Sequence, residues 1–171
     1  MFRKIENNAF KTGESLKYLV HYGWIDVGYS VMSVQEDSVI KSGRNCYHVK
    51  GKGYSTGIWD WFFKVRDFYD SYIDMTALFP WESHRKVLED DYSTADYMIW
   101  DHHNKNVKTY RTSTDSLFSD LVIPKNSQEV LSAFYYCRTL NLTKYEAGAK
   151  IPIPNFILDG VPYPFNLEMI G

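Results

Sequence analysis

The segment WDWFFKVRD, which begins at Trp59, combines side chains that suit a small-molecule binding site. Trp59, Trp61 and Phe63 offer a broad apolar wall, and Arg66 and Asp67 follow with opposite charges. Binding pockets for small molecules are lined mainly by apolar and aromatic side chains, with a few polar groups that orient the ligand. The segment therefore predicts a cavity in which the aromatic residues hold a hydrophobic or amphipathic ligand. Arg66 and Asp67 would orient its polar end.

The same segment also allows a structural interpretation. Read as one strand, residues 59–74 place Asp67 on the face shared with the aromatic side chains, where an unpaired carboxylate is costly to bury. Arg85 and Lys86 on the next predicted strand would then be its partners. Such a ladder of cross-strand charges fixes the register of two strands and contributes about 0.2–1 kcal/mol for each exposed pair. The sequence leaves both interpretations open.

Other residues that often carry chemistry are scattered along the chain. The sequence contains no phosphate-binding glycine loop, no serine nucleophile elbow and no His-Glu-x-x-His motif. His102 and His103 are adjacent at a predicted hairpin tip, which favours a solvated turn over a metal site. Cys46 and Cys137 are compatible with one disulfide or with two thiols packed as small core residues. We therefore expect no catalytic residue, no metal and no cofactor.

The elements that must position these residues are predicted to be strands. Apolar and polar residues alternate from Ser15 onward, and this period of two is typical of a strand with one buried face. The apolar positions of this first strand are Leu16, Tyr18, Val20, Tyr22 and Trp24. Further strands are predicted at residues 29–34, 38–40, 46–54, 59–74, 82–91, 92–101 and 106–111. Their connections are too short for helical crossovers, so the sheet should be antiparallel.

One helix is predicted, at residues 127–140. Asn126 and Glu129 have the spacing of a capping box, with the amide at the cap and the carboxylate three positions later. An apolar stripe follows at helical spacing and consists of Val130, Ala133, Phe134, Cys137 and Leu140. Tyr135 and Tyr136 lie off this stripe. Tyr135 is therefore a further candidate for ligand binding, or for contact with a partner.

The end of the chain reads as a hairpin. Strands are expected at residues 151–158 and 163–170, joined by Asp159 and Gly160. Proline cannot donate a hydrogen bond to a sheet, so three prolines should place parts of this hairpin at an edge. They are Pro152, Pro154 and Pro164. Because the chain stops directly after an apolar strand, we expect further sequence beyond its C-terminus.

Composition sets the class of protein. Of 171 residues, 17% are aromatic, which favours pleated, half-buried surfaces. The net charge of −2 and the pI of about 6.2 give no basic patch for nucleic acid. No apolar run approaches the ~20 residues that span a bilayer, so we expect no transmembrane segment. With no repeat and no linker-like tract, residues 1–171 are predicted to form a single domain.

Three segments together resemble an uncharacterised family of exported bacterial proteins, domain-of-unknown-function family 3108, found in Bacteroidetes-type bacteria. They are FKTGESLKYLVHYGWIDVGYSVMSV, WDWFFKVRDFYDSYID and VLSAFYYCRTL. The resemblance implies a location in the periplasm or at the outer membrane, and an antiparallel β fold similar to envelope half-barrels that carry lipids or lipoproteins. Family members usually begin with a signal sequence and continue for several strands past this C-terminus. The family has no established catalytic residue to transfer.

We therefore expect a mainly β protein, with a curved antiparallel sheet forming an incomplete, half-open, lipocalin-like barrel and one helix near residues 127–140. The favoured function is non-enzymatic binding of a hydrophobic or amphipathic ligand, such as a lipid, in the sheet's cavity. One alternative is a structural module that pairs with another envelope protein. Another is a glycan-active enzyme, which requires two carboxylates such as Asp67 and Glu89 facing each other across a cleft at roughly 5–10 Å.

Overall fold

The protein is built around one antiparallel sheet of eight strands. A computed structural model describes residues 1–153, 155–158 and 160–170. The strands are β1 (Ser15–Tyr22), β2 (Ile25–Lys41), β3 (Arg44–Ser55), β4 (Arg66–Asp74), β5 (Pro80–Glu89), β6 (Tyr92–Asp101), β7 (Asn106–Arg111) and β8 (Ser116–Val122). Their order across the sheet is their order along the chain, as the short connections predicted. The strands β1 and β8 form the two edges, and the sheet is not closed into a barrel.

The hairpins follow from local backbone chemistry. Ser42 and Gly43 both have positive φ, at 49° and 72°, which suits a two-residue turn whose twist matches that of the flanking strands β2 and β3. The segment that follows Val34 behaves differently from the prediction. Residues 35–37 were expected to separate two strands. They lie instead inside β2, which is 17 residues long and has a shift of register between Val34 and Ser38. The extra residues are accommodated as an irregularity of the strand.

The expectation of a single strand over residues 59–74 is wrong in its first part. A short helix, α1 (Trp59–Phe62), comes first, and β4 begins only at Arg66. The backbone N–H of Phe63 closes this one turn by donating to the carbonyl oxygen of Trp59 at 2.8 Å. A run of four residues is too short to show a 3.6-residue period, so sequence alternation could not reveal it. The described residues contain two α-helices, where one was predicted.

The predicted helix is present as α2 (Val130–Arg138), shorter than expected. Glu129 caps it instead of standing at the third helical position. The Glu129 carboxylate accepts hydrogen bonds from the backbone N–H groups of Leu131 and Ser132, and the Ser132 hydroxyl accepts from the Glu129 N–H. Ser71 of β4 also donates to this carboxylate at 2.9 Å. The cap therefore fixes α2 to the sheet as well as starting the helix.

One face of the sheet is covered by α2, by the N-terminal segment and by the C-terminal segment. The largest buried cluster joins strands β2–β4 to α2 and contains Phe10, Val34, Val49, Ile73, Leu78, Leu131 and Tyr135. Tyr135 is fully buried, and its ring lies 4.6 Å from that of Phe10. Its proposed role at an opening of the sheet is therefore wrong, because its ring packs in the core. Side chains fill the space between α2 and the sheet.

The C-terminal segment forms two small antiparallel pairs after a 3₁₀ turn (Leu142–Lys144). Strand β9 (Lys150–Ile153) pairs with β12 (Phe165–Glu168), and β10 (Ile157–Leu158) pairs with β11 (Val161–Pro162). The predicted hairpin is thus confirmed in outline. Asp159 of the predicted turn and Pro154 lie outside the described residues. None of the helices in the described part of the chain is long and apolar enough to cross a bilayer.

Candidate functional site

An apolar cavity lies at one end of the sheet, where β3 leaves it and α1 begins. Its volume is about 440 Å³, within the range of about 300–1,000 Å³ that small-molecule sites occupy. The lining comes from β1, β2, β3 and the α1 region and consists of Val20, Val27, Gly28, Tyr29, Gly53, Tyr54, Ser55, Trp59, Phe63 and Val65. Almost all of the lining is apolar. The cavity can therefore take an apolar group of moderate size.

The helix α1 supplies one wall of the cavity through the aromatic residues Trp59 and Phe63. It stands away from the sheet because the chain turns sharply after β3, where Gly57 has a φ of 63°. That left-handed conformation is accessible to glycine without a steric penalty. The chain then returns at Val65, whose N–H donates to the Ser55 hydroxyl at 2.9 Å. The aromatic wall is thus carried by a loop that is closed at its base.

A polar cluster of Ser55, Asp60 and Arg66 closes that loop. The Arg66 guanidinium donates to both carboxylate oxygens of Asp60, at 2.6 and 2.8 Å, and the Ser55 hydroxyl donates to Asp60 at 2.5 Å. The hydrogen bonds from Arg66, and then from Ser55, lower the pKa of Asp60 to about 2. Asp60 is therefore ionised at neutral pH, and it holds α1 against the start of β4.

Two glycines shape the sheet side of the cavity. At Gly28, a Cβ atom would lie 2.2 Å from the carbonyl oxygen of Tyr54, so only glycine allows the backbones of β2 and β3 to approach this closely. At Gly53, a Cβ atom would meet only the Cβ of Asp67, at 3.8 Å, which is an ordinary contact. Gly53 therefore leaves space that a side chain could fill, and this space belongs to the cavity.

The structure separates the predicted site residues. Trp59 and Phe63 line the cavity, and Arg66 stands beside it in the polar cluster. Trp61 does not line the cavity, and 82% of its surface is exposed to solvent. Tyr135 lies in the core between α2 and the sheet. The aromatic wall predicted from the sequence therefore consists of two residues of the three.

Asp67 points away from the polar cluster, because residues 66 and 67 of β4 alternate between the two faces of the sheet. Its carboxylate accepts a hydrogen bond from the Leu88 N–H at 3.3 Å. Burial raises the pKa of Asp67, and the nearby Glu89 carboxylate adds to this effect while Arg85 opposes it. The predicted pairing of β4 with the strand that carries Arg85 is confirmed. Neither Asp67 nor Glu89 lines the apolar cavity.

Sequence reasoning missed the residues that the neighbouring strands contribute to the cavity. They are Val20, Val27, Gly28, Tyr29, Gly53, Tyr54, Ser55 and Val65. The signal that could have found some of them is the repeated glycine of residues 51–57, GKGYSTG. Glycines two apart on a strand share a face and often mark the approach of another group. Leu131 of α2 approaches Gly51 in this way, and the cavity lies over Gly53.

Comparison with known proteins gives a family and no activity. The family model described as "Protein of unknown function (DUF3108)" matches residues 17–171. The chain belongs to this family. No curated protein and no solved structure matches it. Because the DUF3108 description names no reaction and no ligand, the function has to be argued from the geometry of the site.

No histidine or cysteine of this DUF3108 protein is among the residues that line the cavity. His102 is not in a solvated turn as predicted: it is buried, and its Nε2 atom lies 2.8 Å from the Pro80 carbonyl oxygen. Burial lowers the pKa of His102 to about 4. Both cysteines are free thiols, and burial raises the pKa of Cys46 to about 12. Within the described residues, no three His, Cys, Asp or Glu side chains are grouped to hold a metal ion.

Proposed function

We propose that this protein is a non-enzymatic binder of a hydrophobic or amphipathic molecule, which it holds in the cavity under α1. The observation that carries this proposal is the cavity itself, about 440 Å³ of apolar space walled by Trp59 and Phe63. A folded protein gains stability by filling apolar space with its own side chains. Space of this size at the surface, lined almost wholly by carbon, is better explained by a ligand than by the needs of folding.

The chemistry of the lining favours an apolar tail over a charged group. Arg66 was predicted to orient a polar head, but its guanidinium is bound by Asp60 on two nitrogen atoms. The Ser55 hydroxyl, which lines the cavity, already donates to Asp60 and accepts from Val65. A charged ligand group in the cavity would therefore lack a strong partner and pay a desolvation cost. A hydrocarbon tail inside, with its polar end outside, fits the lining better.

A molecule with a hydrocarbon tail inside the cavity and a polar end in solvent is a fatty acid or a phospholipid, and this is the ligand class that we propose. The lysines near the lining do not select the head group. Lys17 and Lys52 stack on the Tyr29 and Tyr54 rings, on the face of the sheet opposite to Gly53.

The same lining supports a binding role without catalysis. Asp60 accepts a hydrogen bond from the lining residue Ser55, and its pKa of about 2 keeps it ionised, which does not suit a general acid. The Ser55 hydroxyl donates to a carboxylate, and none of its hydrogen-bond partners is a histidine that could act as a base. For location, we propose the cell envelope, on the resemblance to exported proteins described above.

The direct test is titration of the purified protein with a fluorescent polyene fatty acid. The proposal predicts saturable binding with one site per chain, which Gly53→Leu strongly weakens. Asn45→Leu is the matched control, because it adds the same side chain at an exposed position of the same strand, outside the cavity. The absence of saturable binding to the wild-type protein, or an equal effect of the two substitutions, would contradict the proposal.

A further inference from the structure

The cavity opens among a set of exposed apolar residues that the fold does not use. Two of them, Tyr22 and Trp24, lie at the turn between β1 and β2. The others belong to the α1 region. We call this set the aromatic rim, and it consists of Tyr22, Trp24, Ile58, Trp61 and Phe62. All five side chains are exposed, and Trp24 and Trp61 are 94% and 82% exposed.

This exposure is not a general property of the protein's tryptophans. Trp81 and Trp100, on β5 and β6, are 3% and 1% exposed. Tryptophan is highly buried on average because its ring is the largest apolar side chain. Two nearly bare tryptophans at one end of the molecule therefore mark a surface that contacts something else. The neighbouring rings of Trp61 and Phe62, at 4.8 Å in a T-shaped arrangement, add to the same patch.

The chemistry of the aromatic rim suits a lipid bilayer. The residues stand on two projections, a hairpin turn and a single helical turn, and these can enter a soft surface side by side. Tryptophan and tyrosine are the residues that favour the boundary between head groups and acyl chains. Of the two carboxylates beside the rim, Asp60 is paired with Arg66, and the Asp26 Oδ1 atom lies 2.8 Å from the His21 Nδ1 atom.

The charges beside the rim are few and mixed. The exposed Lys64 directly follows the α1 region. Asp90 lies close to Lys64, since its N–H donates to the Lys64 carbonyl oxygen. Lys64 can contact a lipid phosphate, but Asp90 limits the net positive charge. Insertion of the aromatic side chains, and not Coulomb attraction, should therefore supply most of the affinity.

We infer that the aromatic rim docks on the surface of a lipid bilayer and inserts Trp24 and Trp61 at the level of the head groups. Docking would bring the mouth of the cavity to the membrane, because Trp59 and Phe63 of the cavity wall flank Trp61 and Phe62 in the chain. The ligand would then pass between bilayer and cavity without crossing water. This last step rests on the proposed function, whereas docking itself does not.

The test is flotation of the intact chain with vesicles of phosphatidylcholine, alone or with phosphatidylglycerol. We expect binding to both kinds of vesicle, a shift of tryptophan emission to shorter wavelength, and little loss of binding in high salt. The double variant Trp24→Ser/Trp61→Ser should bind the vesicles about tenfold or more weakly, because the loss of each indole ring removes a large apolar contact. The control is Ile40→Ser/Val122→Ser, which removes two exposed apolar side chains outside the rim and should bind as the wild type does.

Three results would overturn the inference. They are failure of the wild-type chain to float, equal flotation of rim variant and control, and binding that is lost in high salt. Dimerisation of the wild type that the rim substitutions abolish, without vesicle binding, would also overturn it and assign the rim to a second copy of the chain. Gly53→Leu should float normally while losing the fatty acid. If the variant and the wild type both float but the wild type binds no fatty acid, the proposed function is wrong and the inferred docking on the bilayer is supported.

Discussion

Replacing Gly53 with larger apolar residues should close the cavity in proportion to the volume added. The backbone at Gly53 does not require glycine, and an added Cβ would make only an ordinary contact, 3.8 Å from the Asp67 Cβ. An alanine adds one carbon atom and a leucine adds four. If each displaces one methylene of a bound tail, at about 0.8 kcal/mol per methylene, binding weakens by about 0.8 kcal/mol for alanine and about 3 kcal/mol for leucine. These values correspond to about fourfold and about two-hundredfold in Kd.

The assay is fluorescence titration with the polyene fatty acid, accompanied by urea unfolding of each variant. Because the added side chain fills an open space, the free energy of unfolding should change by less than about 1 kcal/mol. Asn45→Leu should leave both quantities unchanged. A Gly53→Leu protein that is folded and still binds the fatty acid with wild-type affinity would show that the ligand lies outside this cavity.

Three further predictions concern groups outside the cavity. The pKa of His102 is about 4 in the folded protein and 6.5 as its ordinary value, so the unfolded chain takes up the proton first as the pH falls. The contribution of His102 to the free energy of unfolding should be fully present above about pH 6.5, and about 3 kcal/mol should be lost as the pH falls towards 4. In urea unfolding, His102→Gln should abolish this loss and His103→Gln should not. The Asp74 carboxylate is buried and accepts hydrogen bonds from two backbone N–H groups and two side chains. Asp74→Asn should therefore lower the free energy of unfolding in urea by about 3–5 kcal/mol. Asp70→Asn, at a more exposed carboxylate, should lower it much less. Burial raises the pKa of Cys46 to about 12, so Cys46 should not react with a thiol reagent at pH 8 until the protein is unfolded. Rapid labelling of Cys46 in the folded protein would contradict its placement in the core.

The sheet could be predicted from the sequence because its signal is local and repeated. Alternation of side chains marks the strands, and residues such as Ser42 and Gly43 mark the turns between them. Since the connections between successive strands are short, the order along the chain is also the order across the sheet. The first strand shows where this reasoning ends. Its alternation predicted a buried face, but no residue of β1 is buried, since β1 is an edge strand beyond the main cover of α2.

The position of α1 could not be predicted, because tertiary contacts decide it. The aromatic and β-branched composition of residues 59–65 favours a strand locally. The helical turn is held instead by the Asp60–Arg66 ion pair and by the Ser55 hydroxyl, which join residues five to ten positions apart. A similar limit applies at the start of α2. Glu129 becomes the cap because its carboxylate is also bound by Ser71 of a distant strand.

The candidate site was predicted only in part for the same reason. The sequence drew attention to Trp59 and Phe63 because aromatic residues are conspicuous, and these two line the cavity. It also drew attention to Tyr135, which packs in the core. The apolar stripe of a helix does not show which residues beside the stripe are covered by the rest of the fold. The glycines of the sheet were overlooked. Their contribution is space, and empty space appears only when the strands are assembled.

Organic extraction and mass spectrometry of the protein isolated from its native cells without detergent would show whether the cavity carries a ligand. We expect one apolar or amphipathic molecule per chain in the wild-type protein and its absence from folded Gly53→Leu protein prepared in the same way. A wild-type protein that carries no such molecule, or a Gly53→Leu variant that carries the same amount, would rule out a ligand in this cavity.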